Sequence, residues 1–129
     1  MSMAAKLGDS VVAVDTHLVM APSPGGPIPT PVPSPFQGRL VENLCPTVMV
    51  DNMPVATTGS VALNTVLHVP AGGPFQRPPS NRGSVKKGSE TVFAGGKPIA
   101  RLGDLAETCN DPQDALQGAV LANCTVKVG

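Results

Sequence analysis

The chain has two histidines and three cysteines, and three of these five residues fall at related places. His17 lies eight residues after Asp9, His68 eight residues after Ser60, and Cys109 five residues after Asp104; each of those three anchor residues follows a glycine. Neutral imidazole and thiolate are the donors zinc prefers, and a structural zinc site takes four of them with no open position. Cys45, Cys124, Asp111 and water are the candidates for the fourth place, and water there would give the site a catalytic character. Cys45 and Cys124 also read as small buried hydrophobes. No CxxC or HxxxH pair joins two donors locally, so the metal reading depends on a longer-range pattern.

That pattern is a repeat with a period of 44 residues. "TVMVDNMPVATTGS" starts at Thr47 and "TVFAGGKPIARLGD" starts at Thr91, so that Pro54 matches Pro98, Ala56 matches Ala100 and Gly59 matches Gly103. Each copy, near residues 47–60 and 91–104, reads as an extended run, a tight turn at Asp51-Asn52-Met53 or Gly95-Gly96-Lys97, and a second extended run ended by glycine. Two partial copies complete the set: "KLGDSV" near the start carries the second half, and "TVKVG" at 125–129 carries the first half as a closing strand. If first and last strands pair, the chain has three equivalent units about one axis, and three loops would bring His17, His68 and Cys109 to one end of it. Three units about an axis suit a partner that is itself a trimer, and a plain duplicated hairpin in an ordinary small barrel is the competing reading.

A third element is the stretch "PGGPIPTPVPSPF" within residues 22–38, where Pro27, Pro29, Pro31, Pro33 and Pro35 alternate with other residues. Alternate prolines remove backbone donors from one edge of an extended strand and leave them on the other, so this strap can pair on one side only. An unstructured or polyproline spacer is the competing reading. "NDPQDALQGAVLANC", residues 110–124, is expected to hold one short helical turn, and "GGPFQRPPSNRG", residues 72–83, reads as connection.

Composition sets the frame. A chain of 129 residues is expected to form one domain spanning 1–129. Nine basic residues balance nine acidic ones, which argues against a general binder of nucleic acid or of membrane surfaces. With no signal sequence to read, synthesis in the cytoplasm is expected. Fifteen prolines, 14 glycines and abundant valine favour short strands and many turns over disorder. Three phenylalanines with no tryptophan or tyrosine leave a thin core that needs another source of stability, such as a metal or a partner's surface.

"KPIARLGD", residues 97–104, preceded by "GSETVFAGG", resembles the signature of PAAR-repeat proteins, with Pro98-Ile99-Ala100-Arg101 in the place of the Pro-Ala-Ala-Arg motif. Pro54-Val55-Ala56-Thr57 is a weaker copy that lacks the arginine, and the proline strap is similar to insertions in PAAR-like proteins of phage-derived injection systems. The resemblance runs from Gly8 to Gly129. It implies an all-β fold, a small β-cone of three pseudo-repeated β-hairpin units with long Pro/Gly-rich loops. It further implies a structural zinc at the sharp end, with His17, His68 and Cys109 at metal positions. Too few histidines remain for the family's usual three-histidine, one-cysteine site, which keeps the fourth ligand open.

The function implied is a non-enzymatic tip that caps the trimeric, VgrG-like or phage-spike-like protein of a contractile injection system, one tip per trimer. The system would be a type VI secretion apparatus or an extracellular phage-tail-like particle. Such a tip helps pierce the target membrane, touches it transiently, and leaves the cell with the particle. A small zinc-dependent enzyme is the first alternative, supported by the acids Glu107, Asp111 and Asp114 near Cys109; the chain lacks HExxH, GxSxG and GxxxxGK[ST] motifs. The second is an adaptor that carries effector cargo non-covalently, since no further domain follows the last strand in this sequence.

Overall fold

The computed structural model describes residues 1–129 and contains strands but no helix. Twelve strands run in chain order: β1 (Ser2–Met3), β2 (Ser10–Ala21), β3 (Ile28–Glu42), β4 (Cys45–Val50), β5 (Met53–Val55), β6 (Val61–Asn64), β7 (Arg82–Val85), β8 (Phe93–Ala94), β9 (Lys97–Pro98), β10 (Leu105–Thr108), β11 (Ala115–Leu121) and β12 (Lys127–Val128). Six of them close an antiparallel barrel in the order β10-β11-β2-β3-β6-β7. The other six form three two-stranded ribbons, β1-β12, β4-β5 and β8-β9.

The ribbons begin where the turn chemistry dictates. Asp51 and Asn52 link β4 to β5 with φ of 50° and 64°, and Gly95 and Gly96 link β8 to β9 with φ of 58° and 81°. Two successive left-handed residues make the turn whose twist matches a hairpin. In the third ribbon the chain termini stand where the other two have turns, with Ser2 opposite Val128.

Ala56 and Ala100, which the repeat matches, make matched hydrogen bonds in a set that also includes Ala5. The N–H of Ala5 donates to the Ala100 carbonyl, that of Ala100 to Ala56, and that of Ala56 to Ala5, each at 2.9 Å. This closed ring joins the three ribbons, and all three alanines are fully buried. Directly after each alanine the chain turns at Lys6–Asp9, Thr57–Ser60 and Arg101–Asp104, with a 3.0 Å backbone bond across each turn. The third residue is glycine in every case, with φ of 88°, 91° and 88°, as this turn type demands. The side chain of the fourth residue accepts the N–H of the first: Lys6 to Asp9 Oδ2 at 3.0 Å, Thr57 to Ser60 Oγ at 3.0 Å and Arg101 to Asp104 Oδ2 at 2.7 Å. From these turns β2, β6 and β10 rise away from the ribbons, and β3, β7 and β11 return.

The barrel is filled by a cluster that includes Val11, Phe36, Leu40, Val85, Ala106 and Val120, while Ala4, Cys45, Val50, Val55, Ile99 and Val128 form a second cluster with the ribbons. Phe36 is the one buried phenylalanine in the barrel cluster, and glycine makes room for it: a Cβ on Gly38 would fall 2.6 Å from its ring.

The proline strap is part of β3. Its register against β2 runs without a break from Ser10 opposite Arg39 to Ala21 opposite Ile28, so this hairpin outreaches the barrel. Pro29, Pro31, Pro33 and Pro35 stand opposite Met20, Leu18, Thr16 and Val14. Met20, Leu18 and Thr16 send their N–H groups away from β3, to Pro74 O, Asp111 Oδ2 and Asn110 Oδ1. The prolines thus occupy positions at which β3 needs no donor toward β2. Residues 110–124 hold no helical turn: Ala115–Leu121 is β11, pairing with β10 and β2 to close the barrel. The need for a sixth barrel strand overrides the helix preference of its alanine, leucine and glutamine residues. Residues 72–83 are a connection up to Asn81, after which β7 begins.

Candidate metal centre

The long hairpin and the ends of β6 and β10 converge at the barrel end opposite the ribbons. On β2, alternation turns Asp15, His17 and Val19 inward while Thr16 faces out. His17 therefore sits within a strand, whereas His68 lies in the loop after β6 and Cys109 is the first residue past β10. These three side chains and Asp15 form one buried cluster, their donor atoms all within 4.8 Å of one another. Asp15 Oδ2 is 3.0 Å from His68 Nε2 and 3.5 Å from Cys109 Sγ, and Cys109 Sγ is 3.6 Å from His17 Nε2.

A layer of polar side chains holds the cluster. Asp15 Oδ1 accepts hydrogen bonds from Thr108 Oγ1 and, at 3.3 Å, from Asn110 Nδ2. The backbone N–H of His68 donates to Asn81 Oδ1 at 2.8 Å, and Asn64 Nδ2 lies 3.4 Å from His68 Nδ1. His68 Nε2 is the ring nitrogen that faces Asp15, and Nδ1 the one that faces Asn64. Rings pack around the centre: Phe36 meets His68 edge-on at 6.1 Å and Phe75 meets His17 edge-on at 5.7 Å. His17 Nδ1 is buried and has no hydrogen-bond partner. Asp111 Oδ2 is 3.5 Å from it, at the limit of hydrogen-bond reach.

Burial governs the electrostatics. It lowers the affinity of His17 for a proton, with help from neighbouring His68, and outweighs the opposing pull of Asp111 and Asp15. Burial, reinforced by the Asp15 charge, pushes the Cys109 thiol up to about 11. A thiol held so strongly protonated is no nucleophile at neutral pH. The cluster instead contains a buried carboxylate, two imidazoles and a sulfur with no cation among them, a set that could hold a metal ion.

The options for the fourth place lie apart from this group. Cys45 and Cys124 belong with the ribbon cluster: Cys45 Sγ is 3.3 Å from Thr47 Oγ1 and Cys124 Sγ is 3.1 Å from the Ala4 carbonyl. Asp111 approaches His17 at the ring nitrogen turned away from Cys109. Asp15 is the fourth residue of the group that could hold an ion, and the sequence reading missed it. The signal available was its position two residues before His17, which places both on one face if the segment is a strand. No protein-family model and no curated protein matches the chain.

Proposed function

We propose that the chain is a non-enzymatic, zinc-pinned tip of the PAAR-like type, one copy of which caps the trimeric spike of a contractile injection system. The observation that carries this reading is the closed ring of hydrogen bonds among Ala5, Ala100 and Ala56, which gives the ribbon end a threefold plan within a single chain. A threefold partner meets such a surface in equivalent ways three times over. Exposed Met49, Met53, Phe93 and Val126 on and beside the ribbons supply apolar area for the contact. At the other end, a metal would tie β2, the β6 loop and β10 together where little apolar core lies beneath them.

Zinc is the ion that suits this centre. Two imidazoles, a thiolate and a carboxylate are all zinc donors, and tetrahedral zinc sets its ligand atoms about 3.3–3.8 Å apart. Three of the six donor spacings, 3.0, 3.5 and 3.6 Å, lie close to that range, and the four donor atoms all lie within 4.8 Å of one another. With four protein donors the ion has no place for water, in keeping with a structural rather than a catalytic role.

Elemental analysis of the natively purified chain beside a His17→Ala/His68→Ala variant tests the metal half. About one zinc per chain, lost in the variant with a fall in Tm, is expected. Cryo-electron microscopy of the assembled particle tests the other half: one copy on three spike chains is expected, and two or more copies per spike end would refute the cap.

A further inference from the structure

Beside the four donors lies a second carboxylate that the cluster does not use. Asp111 follows Asn110, and its side chain is 4 % exposed. Its N–H donates to the Thr16 carbonyl at 2.8 Å, and its Oδ2 accepts the Leu18 N–H at 2.8 Å. Its Oδ1 accepts from Arg77 Nε at 3.1 Å and Nη2 at 2.8 Å, and the same Nη2 donates to the Asn110 carbonyl at 2.7 Å. The carboxylate is thus fixed to the β2 backbone on one side and clamped by a guanidinium on the other. The buried imidazole nitrogen without a partner, His17 Nδ1, lies 3.5 Å from Oδ2.

We propose that Asp111 is a positioning residue for the metal centre: it takes the Nδ1–H of His17, which fixes the tautomer whose Nε2 lone pair faces the ion, and Arg77 holds Asp111 in place for that task. The proposal rests on the metal reading of the cluster. Metal-bound histidines commonly give their second N–H to a carboxylate, which orients the ring and strengthens the donor nitrogen. Here the orientation is already set, because His17 Nε2 is the ring nitrogen nearer Cys109 Sγ, at 3.6 Å, and Nδ1 is the one nearer Asp111. A small rotation of the imidazole closes the 3.5 Å gap to hydrogen-bond length.

Asp111 is poorly placed to be a ligand itself. Both its oxygens already accept N–H groups, and Asp15 Oδ2 is the carboxylate oxygen that faces His68 and Cys109. Charge points the same way. Asp15 and the Cys109 thiolate together balance a divalent ion, and Arg77 balances Asp111, so the outer pair adds direction without net charge.

The experiment combines zinc affinity, measured by chelator competition, with the histidine tautomers read from imidazole nitrogen chemical shifts in the whole chain. The wild type is expected to bind one zinc and to hold His17 as the Nδ1–H form both with and without the ion. Asp111→Asn is expected to bind about 10–100-fold more weakly and to shift His17 toward the Nε2–H form when zinc is absent, a change that a loss of packing alone does not produce. If that variant does not fold, Arg77→Gln keeps the carboxylate and changes a half-exposed side chain; it is expected to weaken binding several-fold with the same tautomer shift. Wild-type affinity and an unchanged tautomer in the folded variant would overturn the inference while leaving the metal centre standing. So would zinc held through His17 Nδ1, or binding abolished by Asp111→Asn yet kept by Asp15→Asn. A wild-type chain that takes up no zinc would overturn the metal reading and this inference together.

Discussion

Cys109 is the residue through which the proposed metal would compete with a proton. In the metal-free fold its thiol is pushed from 9.0 up to about 11 by burial and then by Asp15. An ion that binds the thiolate must displace that proton, so zinc affinity rises with pH, by about tenfold per unit from this residue alone. His17 stays neutral, because burial and His68 lower its pKa, and adds no competing proton near neutrality. The metal-free protein has the opposite slope. A group whose pKa is raised by folding contributes stability that is complete below the unfolded value and is lost as pH climbs toward the folded one. Between 9.0 and about 11, therefore, the metal-free chain loses stability as the unfolded thiol ionises. Chelator competition at about pH 6.5 and pH 8.5, beside melting of the stripped protein at higher pH, checks both signs. Cys109→Ser is expected to bind zinc far more weakly and to lose both slopes; an unchanged alkaline slope in that variant would assign the effect to another group.

Strands and turns carry two more expectations. At the ring, Ala100 is fully buried and both receives and gives a ring hydrogen bond. Ala100→Val adds two methyl groups where three ribbons meet and is expected to cost about 1–3 kcal/mol, read as a lower midpoint in urea with unchanged slope. A neutral result would mean that the ribbons can move apart. The strap makes a different kind of claim. Because Pro31 and Pro33 stand opposite Leu18 and Thr16, whose N–H groups point away from β3, replacing them leaves the β2-β3 pairing intact and restores two donors to the other edge. Pro31→Thr/Pro33→Thr is expected to associate with rising concentration in light scattering while the wild type does not. A variant that behaves like the wild type would leave the prolines with stiffness as their sole role. The one-sided strap was legible in the sequence because alternation of prolines has one mechanical meaning in a strand. β11 was not, since Ala115, Leu116, Gln117 and Ala119 favour a helix when isolated, and only the gap between β10 and β2 makes them a strand.

At the scale of the whole molecule, the two ends rest on different physics, and that difference explains what could be read in advance. At the ribbon end two of the three units lie 44 residues apart with glycine, alanine and proline in register, so their turns could be aligned by eye, whereas the ring, which needs Ala5, could not. The other end has no local spacing among its donors. Asp15 belongs to it only because the Gly8-Asp9 turn starts β2 in a register that points residues 15 and 17 to the same side, and a lone aspartate gives no sign of such burial. The same division predicts how the chain comes apart. The ring, the turns and the barrel cluster need no ion, whereas at the far end Asp15 holds Asn110, and Asn110 in turn accepts the Thr16 N–H. Removing the metal from the tip proposed here takes the cation from a buried carboxylate and frees that chain of contacts first. Hydrogen exchange of the chelated protein is expected to lose protection at Thr16, Leu18, His68 and Asp111 and to keep it at Ala5, Ala56 and Ala100. Uniform loss along the chain would mean that the ion supports the entire fold as one cooperative unit. No loss anywhere would mean that the strands hold the far end unaided, and the case for a metal as its pin would fall.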